Sequence, residues 1–346
     1  MKKIRTALVG LGRIAWEFHL PQLTTHPGYE LSAVVDPVKE RLDEAVGKWG
    51  ECLKYESLEL MLDEVKPDLV VIASPTIFHE AQIIASFRAG ADVFAEKPLT
   101  ATLDECDRVL AAAKELNRNL MVYQPRRLDK DCSQAREIIK SGKLGKIHQL
   151  KRNVRGFARR NDWQALSCYA GGMLNNYGVH YIDQVCFALG NFEFKCEYCD
   201  LRCINTLGDA EDFVKVILRE NDLTVEVEIS QSCAFPTNEW FIEGDLGTAK
   251  YSSLTRTWEI RYTEPGKLAQ RTMQKTLAAD GRRYPGDRVD WQTDFEFTDS
   301  ETAGFYDNLA ASFYCGNEPL VKTAESRQVL LLLDNARKIS DRGQDN

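Results

Sequence analysis

Two short segments, far apart in the chain, hold side chains suited to moving a proton. The first is Glu96-Lys97-Pro98. Proline has no N–H and keeps the residue before it out of the α region, so Lys97 is expected in extended, pre-set backbone. A lysine ending a strand is usually a solvated charge. One fixed over a ligand pocket bonds an alcohol and helps remove its proton. The second segment is Gly171-Gly172-Met173-Leu174-Asn175-Asn176-Tyr177-Gly178-Val179-His180-Tyr181-Ile182-Asp183. On a helix, Asn176 and His180 stand at i and i+4 on one face, with Asp183 close at i+7. An imidazole titrates near neutrality and suits general acid–base work on an alcohol. Of the five histidines (19, 26, 79, 148, 180), His180 keeps the most functional company. His79, in Ser74-Pro75-Thr76-Ile77-Phe78-His79, is expected to support a cofactor or a loop.

A third element is built for phosphate. Gly10-Leu11-Gly12-Arg13-Ile14-Ala15 is a G-x-G-x-x-A run between a strand and a helix. Gly10 permits a tight turn, Gly12 lets backbone approach a pyrophosphate, and Ala15 allows close helix–strand packing. Freed N–H groups and the helix dipole then hold the phosphates. Asp36 ends the second strand, 21 residues after Ala15. A carboxylate there accepts from ribose hydroxyls and repels a 2′-phosphate. NAD is therefore expected over NADP, with Lys39 and Arg41 keeping that preference moderate.

The elements that must position these groups follow from periodicity. Up to residue 124, apolar runs alternate with helical patterns, the signature of a parallel βαβ sheet. Strands are expected at Ile4–Val9, Leu31–Val35, Leu69–Ala73, Asp92–Ala95 and Leu120–Tyr123, in a doubly wound domain of six strands. Helices are expected from about Arg13, from Pro37 to Lys48, and over Leu58–Val65 and His79–Ala89. One more opens on the capping box Thr102-x-x-Glu105. From residue 125 to 346 the pattern changes to an α+β domain with a large, mostly antiparallel open sheet. After a helix at Ser133–Ser141, Val225, Val227 and Ile229 alternate with Thr224, Glu226 and Glu228. Trp258, Ile260 and Tyr262 alternate with Thr257, Glu259 and Arg261 in the same way. Glu264–Phe297 lacks periodicity and reads as a long loop or arm. A last amphipathic helix, about 323–340, is expected to pack back on the body.

Composition narrows the classes. The chain has 346 residues, enough for two domains, and 44 Lys plus Arg against 52 Asp plus Glu give a net charge of −8. That balance argues against non-specific nucleic-acid binding. No run of about 18 apolar residues is present, so no membrane span is expected. Lys2, Lys3 and Arg5 precede a strand rather than a leader, and a cytoplasmic protein is expected. Ten cysteines make no disulfide framework. In Cys196-x-x-Cys199-x-x-x-Cys203, a strand would turn Cys196 away from the other two, so no metal site is expected.

Together the glycine run, Glu96-Lys97-Pro98 and the Gly-Gly…Gly-x-His-x-x-Asp stretch resemble the glucose–fructose oxidoreductase / inositol dehydrogenase (Gfo/Idh/MocA) family over nearly the whole chain. The resemblance implies an N-terminal Rossmann domain, a C-terminal sheet used for homodimers or homotetramers, and NAD(P)-dependent chemistry on sugars or cyclitols. It implies Lys97 as the active-site lysine and His180 as the catalytic histidine. It also places Ser74, Pro75, Thr76 and His79 beside the cofactor, with Glu96. Two positions depart from the pattern. Thr76 stands where many members have Asn, and Asn176 where many have Asp. An amide cannot accept a proton, so no carboxylate–histidine relay passes through Asn176. Some members acting on sugar derivatives are similar in carrying Asn there.

The leading expectation is reversible oxidation of a secondary alcohol on a sugar-like or cyclitol ring. His180 would act as base, Lys97 would polarise the same oxygen, and Asn176 would hold a substrate hydroxyl. One alternative is a glycosidase of the same family that recycles NAD through transient oxidation. Another is a non-catalytic dinucleotide sensor. Arg126, with Arg127, Arg155, Arg159 and Arg160, is expected to border the cleft, as are Lys267, Arg271, Lys275, Arg282, Arg283 and Arg288 of the long loop. Such clusters either steer an anionic sugar or are simply solvated. Trp163, Tyr169 and Tyr177 could stack on a sugar or fill a core.

Overall fold

The computed structural model describes residues 3–268, 289–297 and 304–344. Among these, the first sheet contains β1 (Ile4–Val9), β2 (Tyr29–Val35), β3 (Leu53–Tyr55), β4 (Leu69–Ile72), β5 (Asp92–Glu96) and β6 (Leu120–Tyr123). All pairs are parallel and the order is β3-β2-β1-β4-β5-β6. The crossovers are α1 (Leu20–Thr25), α2 (Lys39–Trp49), α3 (Leu58–Val65), α4 (His79–Arg88) and α5 (Leu103–Glu115). Every residue of β4 and β5 is buried, because helices cover both faces of a doubly wound sheet. Thr102 and Glu105 form the expected reciprocal cap on α5. The sixth strand, β3, has two exposed residues of three, so no apolar run announces it. Helix α2 starts at Lys39, not Pro37, because the Val38 N–H is held by the Asp36 carboxylate at 2.9 Å and Val38 stays extended.

The second part holds α6 (Lys130–Lys140), β7 (Ile147–Arg155), α7 (Val179–Leu189), β8 (Lys195–Arg202), β9 (Phe213–Glu220) and β10 (Leu223–Ser230). β11 (Trp240–Gly244), β12 (Gly247–Ser252), β13 (Thr257–Tyr262) and β14 (Gln292–Phe297) complete its sheet. The order is β14-β13-β12-β11-β7-β10-β9-β8, antiparallel except where β7 meets β10. Val225, Val227, Ile229, Trp258 and Ile260 are buried, as their alternation requires. The opposite row is drier than expected, since Glu228 is only 8% exposed, between Arg155 and Lys215.

The cysteine reading needs correction. A bulge between Cys196 and Tyr198 resets the period of β8, so Cys196 and Cys199 are both buried on the core side while Cys203 is exposed.

Two helices tie the parts together. α8 (Phe305–Cys315) returns from the far end of the chain to the first core, where Phe305, Tyr306 and Leu309 are buried. There the Tyr29 hydroxyl donates to the Tyr306 carbonyl at 2.6 Å. α9 (Thr323–Gln344), a little longer than expected, packs on β8, α5 and α7. No helix among the described residues is long and apolar enough to cross a membrane.

Candidate active site

At the carboxyl ends of β1 and β4 the chain comes very close to itself. Gly10 has φ +87°, and a Cβ there would lie 2.6 Å from the Ser74 nitrogen. A Cβ on Gly12 would meet nothing within 4 Å, so the backbone at that point is open to an approaching ligand. This is the cradle a pyrophosphate needs, and the residues present fit a dinucleotide. Gly10→Ala is expected to lower unfolding free energy by about 2–3 kcal/mol through overlap and positive φ. Gly12→Ala is expected to change it by less than about 0.5 kcal/mol. Urea denaturation of the two variants checks the contrast.

Asp36 is buried, and its first task is structural. One oxygen accepts from the Leu11 N–H at 2.8 Å, stapling the glycine turn to the end of β2, and the other accepts from Val38. Arg41 lies 3.6 Å from the same carboxylate. His79 is wholly buried with one ring nitrogen 2.9 Å from the Ser74 carbonyl and the other 3.1 Å from that of Pro98. It braces the loop after β4 against the segment after Lys97. Burial pulls its pKa below the usual imidazole value.

A cavity of about 180 Å³ lies between the two parts. From the first part it is lined by Arg13, Ile14, Ser74, Thr76, Glu96 and Lys97. From the second it is lined by Arg126, Trp163, Asn176, Tyr177 and His180. Each of these had been singled out in the sequence. Pro75 and His79 are not part of the lining, and His79 is fully buried. Phe18, Tyr123 and Gln164 also line it, without any motif to mark them. The two helix starts facing the cavity are both π turns, Ala15–His19 and Leu174–Gly178. Such wider turns occur frequently at functional sites.

The π turn before α7 is seated by a carboxylate. Glu211 accepts from the Leu174 N–H at 2.9 Å, and a Cβ on Gly172 (φ +97°) would sit 2.3 Å from that carboxylate. This explains the second glycine of the Gly-Gly pair. Asn176 and His180 reach the cavity from this turn and α7. Asp183 does not join them. It bonds Arg127 through both oxygens, and Arg127 also reaches Glu325 at 2.5 Å and the Leu320 carbonyl at 2.9 Å. The expected grouping of Asp183 with Asn176 and His180 is therefore overturned. Seven residues of helix, begun by a π turn, carry the carboxylate to a different neighbour.

The company His180 does keep is an amide. Its Nδ1 lies 2.9 Å from Oε1 of Gln124, a residue 2% exposed at the end of β6. An amide oxygen only accepts, so Nδ1 carries the proton and Nε2 the lone pair. Burial, then the nearby Lys97 and Arg126 cations, hold the imidazole pKa well below its ordinary value. Lys97 Nζ donates to the Asn176 carbonyl at 2.8 Å and lies 3.3 Å from its side-chain Oδ1. Burial brings the lysine down to about 8, Glu96 opposing, with Arg126, Arg160 and Arg13 adding to the fall. Glu96 accepts the Lys97 backbone N–H at 3.1 Å, and its other oxygen lies 3.1 Å from Nε2 of the buried His19. His19 in turn meets the Tyr306 hydroxyl at 2.7 Å. Gln124, His19 and Glu211 escaped the sequence reading. Only Gln124 carried a signal, a polar residue at the carboxyl end of a strand.

The basic residues divide. Arg127, Arg155 and Arg159 bond Asp183, Glu228 and the Asn205 carbonyl, away from the cavity. Arg126 and Arg160 line it, but each has an aspartate partner, Asp129 at 3.4 Å and Asp162 at 3.0 Å. Arg126 also lies over the Tyr177 and Tyr181 rings. Lys267 pairs with Glu264. Arg271, Lys275, Arg282, Arg283 and Arg288 fall outside the described residues. Tyr169 is 39% exposed and is not part of the lining.

A parallel sheet with a glycine cradle, joined to a second sheet whose packed helix α7 supplies His180, is the architecture of a two-part dinucleotide-binding protein. Residues 4–124 match the model of the Gfo/Idh/MocA oxidoreductase family with its NAD-binding Rossmann fold, and residues 132–250 match that family's C-terminal domain. The chain belongs to this family. It is 32% identical over 54% of its length to 54% of a scyllo-inositol 2-dehydrogenase (NAD(+)) of Bacillus subtilis. Among solved structures, an NAD-binding protein from Listeria innocua superposes with a TM-score of 0.83 at 24% identity, over 99% of this chain and 96% of that one. The WlbA dehydrogenase from Bordetella pertussis, in complex with NADH and UDP-GlcNAcA, superposes at 0.78 with 23% identity, over 99% and 98%. The chain spans about half to two thirds of the length of the curated relatives it matches.

Proposed function

We propose that this protein is a dehydrogenase that moves a hydride between a secondary alcohol of a sugar, sugar derivative or cyclitol and a nicotinamide, NAD in the first place and NADP as the alternative. One observation carries the reading. Lys97 from the first domain and His180 from the second line a single cavity beside the glycine cradle. Gly10, Gly12, Arg13 and Ile14, with Ser74, Pro75 and Thr76 opposite, would hold the dinucleotide. When bound it supplies the hydride acceptor. Asp36 keeps a second lone pair on each oxygen for ribose hydroxyls, and Arg41 beside it is the feature that admits a 2′-phosphate.

The surroundings favour a division of labour opposite to the expected one. A general base works best when its pKa is near the working pH. Lys97, at about 8, meets that condition, whereas His180 is held well below its ordinary value by burial and then by two cations, and has no carboxylate to stabilise an imidazolium. In the proposal Lys97 takes the hydroxyl proton. His180, through Nε2, accepts a hydrogen bond from a neighbouring hydroxyl and fixes the ring, while Trp163 and Tyr177 pack on it.

A panel of sugars, uronic acids and cyclitols, assayed with NAD and with NADP, tests this. Reduced nicotinamide is expected to accumulate in step with oxidised product for one substrate class. Product without reduced nicotinamide would favour the NAD-recycling glycosidase. Tight dinucleotide binding with no turnover would favour a sensor. Completing the proposal is a cytoplasmic homodimer or homotetramer joined through the second sheet, where Trp291 and Phe295 stand 55% and 61% exposed at the β14 edge.

A further inference from the structure

We propose that Asn176 is a positioning residue that holds the neutral amine of Lys97 with its lone pair free for the substrate. The inference rests on the dehydrogenase reading for its kinetic consequence, though not for its geometry. Two oxygens of Asn176 face one nitrogen, the backbone carbonyl at 2.8 Å and Oδ1 at 3.3 Å. A neutral amine has two N–H bonds and one lone pair. Both N–H bonds are taken by Asn176, and the Cε bond occupies a third vertex of the tetrahedron. The vertex left over carries the lone pair in the amine and a third N–H in the ammonium. Lys97 thus changes from acceptor to donor by losing or gaining a proton, without moving its side chain.

The identity of residue 176 then matters for charge. A carboxylate could make the same contacts, but an anion there favours the ammonium and typically raises a neighbouring cation's pKa by about 1–3 units. An amide holds the nitrogen and leaves its charge alone. The other charged groups facing Lys97 are Glu96, which favours the ammonium, and Arg126, Arg160 and Arg13, which oppose it. His180 faces it as a neutral ring. Glu96 is partly spent on His19 and on the Lys97 backbone N–H. Replacing the amide by a carboxylate would therefore tip the balance toward the cation.

The test has a readout that needs no substrate. In protein labelled with 13C at lysine Cε, the Lys97 resonance, assigned by its loss in Lys97→Arg, is expected to titrate near pH 8. In Asn176→Asp the midpoint is expected to rise by about one unit or more. With the best alcohol substrate, the acid limb of the kcat/KM profile should move upward with it. Turnover at pH 7 should fall about tenfold and recover as pH increases. Asn176→Ala, which keeps only the backbone acceptor, should lower the alkaline plateau by about tenfold without raising the midpoint, because the amine is freer to rotate. An unchanged midpoint in Asn176→Asp, or an undiminished plateau in Asn176→Ala, overturns the proposal. A midpoint that moves in a protein that oxidises no alcohol overturns the dehydrogenase reading and leaves the positioning role intact.

Discussion

Lys97→Met is expected to lower kcat/KM for alcohol oxidation by about 10²–10⁴-fold, the range general-base catalysis contributes. Methionine keeps an unbranched apolar stem of similar length in the same half-buried channel. The unfolding midpoint in urea should therefore change little, and NADH affinity, measured by fluorescence titration, should stay within a few-fold. The residual activity should also lose the rise with pH through about 8 that the wild-type lysine imposes. That rise has a definite sign, because the amine is the reactive form and its fraction falls tenfold for each pH unit below the midpoint. A loss smaller than tenfold would return the base to His180, and His180→Ala would then carry the larger defect. With Lys97 removed, His180 would also lose one of the two cations that depress it.

Asp183→Ala is expected to be the most destabilising single change in the second domain, at about 3 kcal/mol, the low end of the cost of removing one partner of a buried ion pair, because Glu325 still faces Arg127. Both side chains are only 1% exposed. Arg127 joins the turn after β6 to α7, to the Leu320 carbonyl and to Glu325 of α9, and its guanidinium also lies over the Phe187 and Phe192 rings. Deleting the carboxylate takes from that cation its fully buried partner and leaves it the more exposed Glu325 and the Leu320 carbonyl, at the junction of three elements. Arg127→Met in the Asp183→Ala background should recover part of the loss, since an apolar pair of similar volume has no charge to desolvate. Chemical denaturation of the two single variants and the double variant gives the coupling. A loss below about 1 kcal/mol in Asp183→Ala would show that the pair is not the junction described.

These two residues mark what the chain's sequence makes legible and where it stops. Lys97 stands out because a Glu-Lys-Pro run after an apolar strand places an ammonium at the ligand-binding edge whatever else surrounds it. Asp183 stands out for a reason that proved wrong, its spacing of seven from Asn176, which sits inside the π turn. Helical spacing gives a face only while the turn stays regular, and a π turn opens α7. The same holds for β8, where one bulged residue puts Cys196 and Cys199 on the same side. The glycine cradle needed no such luck. The positive φ of Gly10 and the open space at Gly12 are demanded by a strand-turn-helix of that length, and glycine is what supplies them.

The sequence by itself determined the two layers, the phosphate cradle and most of the cavity wall, because apolar period, turn chemistry and capping are local properties that survive any tertiary arrangement. Only the folded chain decided who faces whom. It set Gln124 rather than Asp183 behind His180, put Asn176 on Lys97, and closed His19, Glu96 and Tyr306 into one buried chain of hydrogen bonds. Those pairings join residues far apart in sequence, and they decide protonation through burial and neighbouring charge. Both depend on distances across the fold that no spacing along the chain encodes.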